Sequence, residues 1–190
     1  PAEGRLEKIG KLKNNSKVIL DYAHTPDALE TILTNIKEQF PLQKIKLVFG
    51  CGGDRDRAKR LKMGKIASKF ADIIYLTDDN PRTENPKKIR NELSKYILKN
   101  KTFNIGNRAS AIKKAIQNAN PQEVILIAGK GHEEKQIYKN KIIYISDKKI
   151  VKKIKRTKRI ITRKQQNYLQ NKLILKKILD KIKPLNFNGL

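Results

Sequence analysis

Up to about Ser146, short runs of β-branched residues alternate with longer stretches whose apolar positions recur every three or four residues. The first kind predicts strands at Lys17–Asp21, Ile45–Phe49, Ile73–Thr77 and Val124–Ala128, with a weaker one near Thr102–Ile105. The second predicts helices from Pro26 to about Phe40, Arg57–Phe70, Pro86–Leu98 and Arg108–Asn118. Pro26 suits a first helical turn, and Thr25 before it is a suitable cap. A closing hairpin is predicted from Gln136–Tyr138 and Ile142–Ile145. Strands alternating with helices in this way predict an α/β fold, a Rossmann-like open and mostly parallel sheet flanked by helices.

Each of the four strong strands runs into a loop rich in Gly, Asp, Asn, Arg or His: DYAHTP (Asp21–Pro26), GCGGDRDR (Gly50–Arg57), TDDNPRTENP (Thr77–Pro86) and AGKGHEE (Ala128–Glu134). Ligands of open α/β sheets bind beyond the carboxyl ends of the strands, so these loops should converge on one crevice. Within the third, Arg82 offers a planar fork for a carboxylate and the acidic groups accept from an ammonium, a set able to grip a zwitterion. Pro81 fixes the turn between them. In the fourth, Glu133 should project a carboxylate into the crevice, and its glycines permit close approach of backbone to a ligand. Asp-Asn-Pro is equally an ordinary turn sequence.

Several chemistries find no support. No GxxxxGK followed by Ser or Thr occurs, since Lys130 is followed by Gly131, so the chain carries no triphosphate loop of that kind. The glycines of Gly50–Gly53 have only part of a dinucleotide-binding spacing, and no Ser-His-Asp order or nucleophile elbow is present. With two histidines and one cysteine, Cys51, a zinc site would need an unusual ligand set, and the sequence points to no metal ligand or catalytic residue in this chain. Of the two, His132 suits a structural role, and His24 suits contact with a phosphate or ribose. The lone cysteine and the absence of an apolar run near 20 residues predict a reduced, cytoplasmic setting without a membrane.

The formal charge of +26 raises the prospect of a nucleic-acid or anionic-membrane partner. Its distribution weakens it: from Lys148 onward, fifteen Lys and Arg stand against one acidic residue, Asp180. Elsewhere Lys, Ile and Asn recur wherever a polar or apolar residue serves, a compositional bias. No aromatics interleave the basic stretch, and no specific nucleic acid is expected.

Taken in order, GRLE, DYAHTPDALE, VFGCGGDRDR, ADIIYLTDDNPRTE and AGKGHE resemble the C-terminal domain of the Mur ligases, specifically the diaminopimelate-adding branch, over about residues 1–150. The resemblance implies an ATP-dependent amide-bond-forming ligase of peptidoglycan synthesis. Its partners would be ATP, Mg2+, meso-diaminopimelate and a UDP-MurNAc dipeptide. Arg55, Asp79, Asn80, Pro81, Arg82, Gly129 and Glu133 stand where that family binds the incoming amino acid, and Arg5, Asp21 and His24 where it approaches the nucleotide. ATP and Mg2+ would be held mainly by a central domain outside this sequence, so the chain by itself should be inactive. An arginine after Asn-Pro is implied to mark the diaminopimelate enzymes and to be lacking in lysine-adding relatives. Two other readings stay open: a related ligase domain for another amino acid, and a basic nucleic-acid-binding α/β module, which explains the charge and leaves the five motifs unexplained.

The chain reads as a piece of a longer protein, without an initiator Met or a secretory signal at PAEGRLEKIG. Residues 151–164 read as a helix end and basic linker. Residues 165–190 read as a separate amphipathic unit, whose KILDKIKPLNFNGL resembles the opening of a Mur ligase N-terminal domain and so implies a fusion.

Overall fold

The computed structural model describes residues 4–154, 167–168 and 170–175. The chain divides into two compact units, Pro1–Lys152 and Lys153–Leu190. In the first, β1 (Glu7–Lys11) and β2 (Lys17–Asp21) lead to α1 (Pro26–Gln39), β3 (Ile45–Phe49), α2 (Ala58–Phe70), β4 (Ile73–Leu76) and α3 (Pro86–Ser94). A 3-10 turn at Lys99–Lys101, β5 (Thr102–Asn104), α4 (Arg108–Gln117), β6 (Val124–Ala128), β7 (Lys135–Tyr138) and β8 (Lys141–Tyr144) follow. A further helical segment covers 147–154. In the second unit, 167–168 and 170–175 are helical, and the rest of the expected linker and tail lies outside the described residues.

The sheet order is β1-β2-β6-β3-β4-β5, with β2 to β5 all parallel to their neighbours and β1 antiparallel at one edge. From β2 the chain steps to β3, β4 and β5 in one direction, then returns through α4 to insert β6 between β2 and β3. Right-handed crossovers require that this reversal put α4 on the opposite face from α1, α2 and α3. Alternation along β3 shows the two faces. Ile45, Leu47 and Phe49 join a core with Leu29, Leu33, Ile36 and Met63, while Val48 lies on the side of Ile112 and Ile116. Lys46 shares that second face and is tolerated there because its ammonium meets Glu123 at 3.0 Å, both side chains 6 % exposed.

Two elements differ from the sequence expectation. The strand β1 is absent from it: Glu7, Gly10 and two lysines give EKIGK no apolar alternation, and the strand exists because β2 offers it a ladder, interrupted between Lys8 and Gly10. The helix expected to reach Leu98 ends at Ser94, whose hydroxyl turns back onto the Asn91 carbonyl at 2.9 Å. Ile97 is then buried from a turn, and Leu98 is left 58 % exposed.

Candidate functional site

All four loops leave the carboxyl ends of β2, β3, β4 and β6, which are adjacent strands, so the parallel topology brings them together. The β3 and β4 loops lie in direct contact. A Cβ on Gly50 would stand 2.1 Å from the Thr77 carbonyl oxygen, and one on Gly53 would stand 1.9 Å from that of Pro81. The glycine-rich stretch thus serves loop-to-loop packing. Gly131 likewise faces Gly4 and Tyr22 of its own chain, where the sequence suggested close approach to a ligand.

Polar staples reinforce this contact. The Gly53 N–H donates to the Asn80 carbonyl at 2.9 Å, and Thr83 donates through backbone and hydroxyl to the Asp54 carboxylate. Arg60, 1 % exposed, donates to both Glu84 oxygens at 2.7 and 3.0 Å and to Glu92 at 2.7 Å. Arg60 beside Glu84 holds that carboxyl down to about 2, burial notwithstanding.

Asn80 is the hub. Its Oδ1 accepts from the Ile137 N–H at 3.0 Å and from Lys130 Nζ at 3.2 Å, while its Nδ2 donates to Glu133 Oε2 at 3.2 Å. Lys130 also donates to that Glu133 oxygen, at 2.9 Å, and the Tyr22 hydroxyl donates to Oε1 at 3.2 Å. Burial opposes ionisation of Glu133, but Lys130, Asn80 and Tyr22 outweigh it and hold the carboxyl below its usual range. A carboxylate has about four acceptor positions; three are taken by these donors, so Oε1 keeps room for one more.

Arg82 has a left-handed backbone, φ +52°, because its N–H is drawn to the Ile137 carbonyl at 2.9 Å while its side chain turns back over the β3 loop. There Nη1 donates to the carbonyls of Gly53 at 2.9 Å and Asn80 at 3.3 Å. Gly52 leaves room for it, since a Cβ there would stand 2.9 Å from Nη1. Among the described residues no acceptor meets Nε or Nη2, so the other edge of the guanidinium is open. Asp79, 8 % exposed, lies against Gly129, whose φ of +108° and lack of a side chain admit its carboxylate. The β7–β8 hairpin backs the whole loop: Gln136 donates to the Asp78 carbonyl at 2.8 Å and Tyr138 to the Asp78 carboxylate at 2.9 Å. Arg90 pairs with the same carboxylate from α3.

The structure therefore gathers Asp79, Asn80, Pro81, Arg82, Gly129 and Glu133, while Arg55 is exposed on the β3 loop close to Gly52. Arg5, Asp21 and His24 form the neighbouring group. Asp21 spends its oxygens on the backbone N–H groups of Ala23 at 2.7 Å and Leu6 at 2.8 Å, so it organises the chain there. Arg5 and His24 are exposed; the His24 ring meets that of Tyr22 tilted, at 4.6 Å, and His132 stacks on the same Tyr22 ring at 5.5 Å.

Sequence reasoning passed over Lys130, Tyr22 and Arg108. Lys130 and Tyr22 both lie within quoted motifs, where Lys130 reads only as a triphosphate-loop lysine and Tyr22 is given no role. Arg108, wholly buried, makes a two-pronged pair with Asp147 at 2.7 and 2.8 Å and donates to the Ala128 carbonyl at 3.1 Å, just before Gly129. Its partner is 39 residues away, beyond any local pattern.

Residues 4–131 match the family described as Mur ligase, glutamate ligase domain. A UDP-N-acetylmuramoyl-L-alanyl-D-glutamate--2,6-diaminopimelate ligase of Buchnera aphidicola subsp. Baizongia pistaciae is 51 % identical over 152 residues, covering 80 % of this chain and 30 % of that protein. A solved structure of a ligase of the same name is 36 % identical with a TM-score of 0.75, covering 83 % of this chain and 32 % of the other. Mycobacterium tuberculosis folylpolyglutamate synthase, solved with ADP and AMPPCP, shares the fold at 18 % identity and a TM-score of 0.56, covering 68 % of this chain and 30 % of the other. The chain thus spans about a third of the length of these relatives.

Proposed function

Because the chain belongs to the Mur ligase family, matching its glutamate ligase domain, we propose that it is the amino-acid-binding domain of an ATP-dependent ligase that adds meso-diaminopimelate to UDP-MurNAc-L-Ala-D-Glu in peptidoglycan synthesis. The observation that carries this reading is that Asn80 holds both charges an amino-carboxylate head requires. Its carbonyl takes Arg82 Nη1 and its amide donates to Glu133. The open edge of Arg82 receives the distal carboxylate, and the remaining position on Glu133 Oε1 receives the ammonium. Arg55 adds a second positive contact, and Asp79, Pro81 and Gly129 shape the floor. Lysine lacks the second amino-carboxylate head and leaves that guanidinium edge unpaired, which disfavours it.

With one end of the diaminopimelate held here, its other amine is delivered to the acceptor, so the domain contributes orientation and exclusion of water. ATP, when bound, supplies the phosphoryl group that activates the acceptor carboxylate. The chain lacks a P-loop, and among the described residues no cluster of three potential ligands for a metal ion occurs, so the domain's own share toward the nucleotide is the exposed pair Arg5 and His24, set in place by Asp21. No described helix is long and apolar enough to cross a membrane, and a cytoplasmic setting suits these soluble, phosphorylated substrates. The test is a titration of the 15N-labelled chain with meso-diaminopimelate and, separately, L-lysine. Diaminopimelate should shift the amide resonances of Asn80, Arg82, Gly129 and Glu133 at concentrations where lysine leaves them in place. Equal shifts from both amino acids, or none from diaminopimelate, contradict the reading.

A further inference from the structure

Among the described residues, Lys130 is the cation whose ammonium bonds side chains of both the β4 and the β6 loop. It is wholly buried, and two of its three N–H groups go to Asn80 Oδ1 and Glu133 Oε2. A buried ammonium persists only where partners repay its lost hydration. These partners are two residues of the proposed ligand site, one from the β4 loop and one from the β6 loop. We infer that Lys130 is a positioning residue for the ligand's ammonium: by fastening Glu133 to Asn80 it turns the carboxylate so that a single acceptor position on Oε1 faces the crevice. This deepens the proposed reading of the site and rests on it. Lys130 also neutralises Glu133, so a zwitterionic head meets a site without excess negative charge from that carboxylate.

The groups facing Glu133 define what its loss would do. Tyr22 reaches it from the β2 loop, Asn80 from the β4 loop and Lys130 from its own loop, while Arg108 acts on it through space and Asp79 acts on Tyr22. Among these, Lys130 supplies the positive charge in direct contact. Without it, burial governs, and the carboxyl takes up a proton at higher pH.

The test uses the 190-residue chain, Lys130→Met, and the double variant Lys130→Met/Glu133→Gln. The Glu133 side-chain carboxyl is followed by 13C NMR against pH, and meso-diaminopimelate affinity is titrated at pH 7 and pH 5. In the unaltered chain Glu133 should titrate below an ordinary glutamate, with little change in affinity between the two pH values. In Lys130→Met its midpoint should rise above the ordinary value. Affinity should fall about ten- to a hundred-fold at pH 7 and further at pH 5. The double variant should bind weakly but without the pH dependence, a pattern that loosened packing alone does not produce. An unmoved Glu133 midpoint in Lys130→Met, or an ordinary or raised midpoint in the unaltered chain, overturns the inference, and the second of these needs no variant to fold. If the unaltered chain fails to bind diaminopimelate while the midpoint still moves, the reading of the ligand is wrong and the role of Lys130 toward Glu133 stands.

Discussion

Replacing Arg82 with alanine should weaken meso-diaminopimelate binding far more than it weakens the fold. Two sets of contacts are lost. On the ligand side, the open Nε and Nη2 edge disappears, and a two-pronged charged pair that loses one member costs about 2–5 kcal/mol. That is roughly thirty-fold to several-thousand-fold in Kd. On the protein side, Nη1 no longer donates to the carbonyls of Gly53 and Asn80. Those two partly buried bonds contribute about 1–3 kcal/mol together, which for a chain of this size lowers Tm by only several degrees. The two loops remain joined by the Gly53 to Asn80 backbone bond, by Thr83 on Asp54 and by Arg60 on Glu84. Arg82→Lys keeps the charge and loses the fork, so its affinity should lie between the two. Isothermal titration with diaminopimelate, beside thermal unfolding of each variant, measures both effects. In the complete ligase the same change should raise the KM for diaminopimelate and leave that for ATP unaltered. A Kd for Arg82→Ala within about two-fold of the parent, with the fold intact, would show that Arg82 is only a turn residue and refute the reasoning.

The glycines of the β3 loop should separate by what their missing side chains would meet. Gly53→Ala places a Cβ 1.9 Å from the Pro81 backbone and should cost about 2 kcal/mol or more in denaturant unfolding, whereas Gly52→Ala meets only the movable end of Arg82 and should weaken amino-acid binding with little loss of stability. Arg108→Met strands Asp147 in the interior and should destabilise by about 3–5 kcal/mol, and Asp147→Leu added to it should recover much of that, measured as a double-mutant cycle. Acid should release the Arg60–Glu84 staple: the folded carboxyl sits at about 2 against an ordinary 4.5, so its contribution is complete above pH 4.5 and is lost as the pH falls toward 2. The staple therefore accounts for about 3 kcal/mol of acid-labile stability, and Glu84→Gln should flatten the unfolding free energy over that interval.

What the sequence by itself determined was local. VILIA is apolar on both faces, and IKLVF is apolar apart from Lys46, so both read as interior strands. Thr25-Pro26 and Asn85-Pro86 carry their own start signals, with both cap side chains bonded to the first turn as such residues do. The α/β class and the convergence of four loops follow from those strands, because parallel pairing sends all their carboxyl ends to one edge. The tertiary structure decided everything that needs two distant residues. The strand β1 forms because β2 lies beside it, and Gly50 and Gly53 are glycines because Thr77 and Pro81 press against them. Lys130 could be read locally as a solvated lysine, like most of the chain's basic residues. It becomes a buried tie only when Asn80, fifty residues earlier, and Glu133 both reach its ammonium. Arg108 is likewise settled by Asp147. Periodicity reports burial along one element, whereas the partner that makes a buried charge tolerable comes from another, and that pairing exists only once the chain has folded.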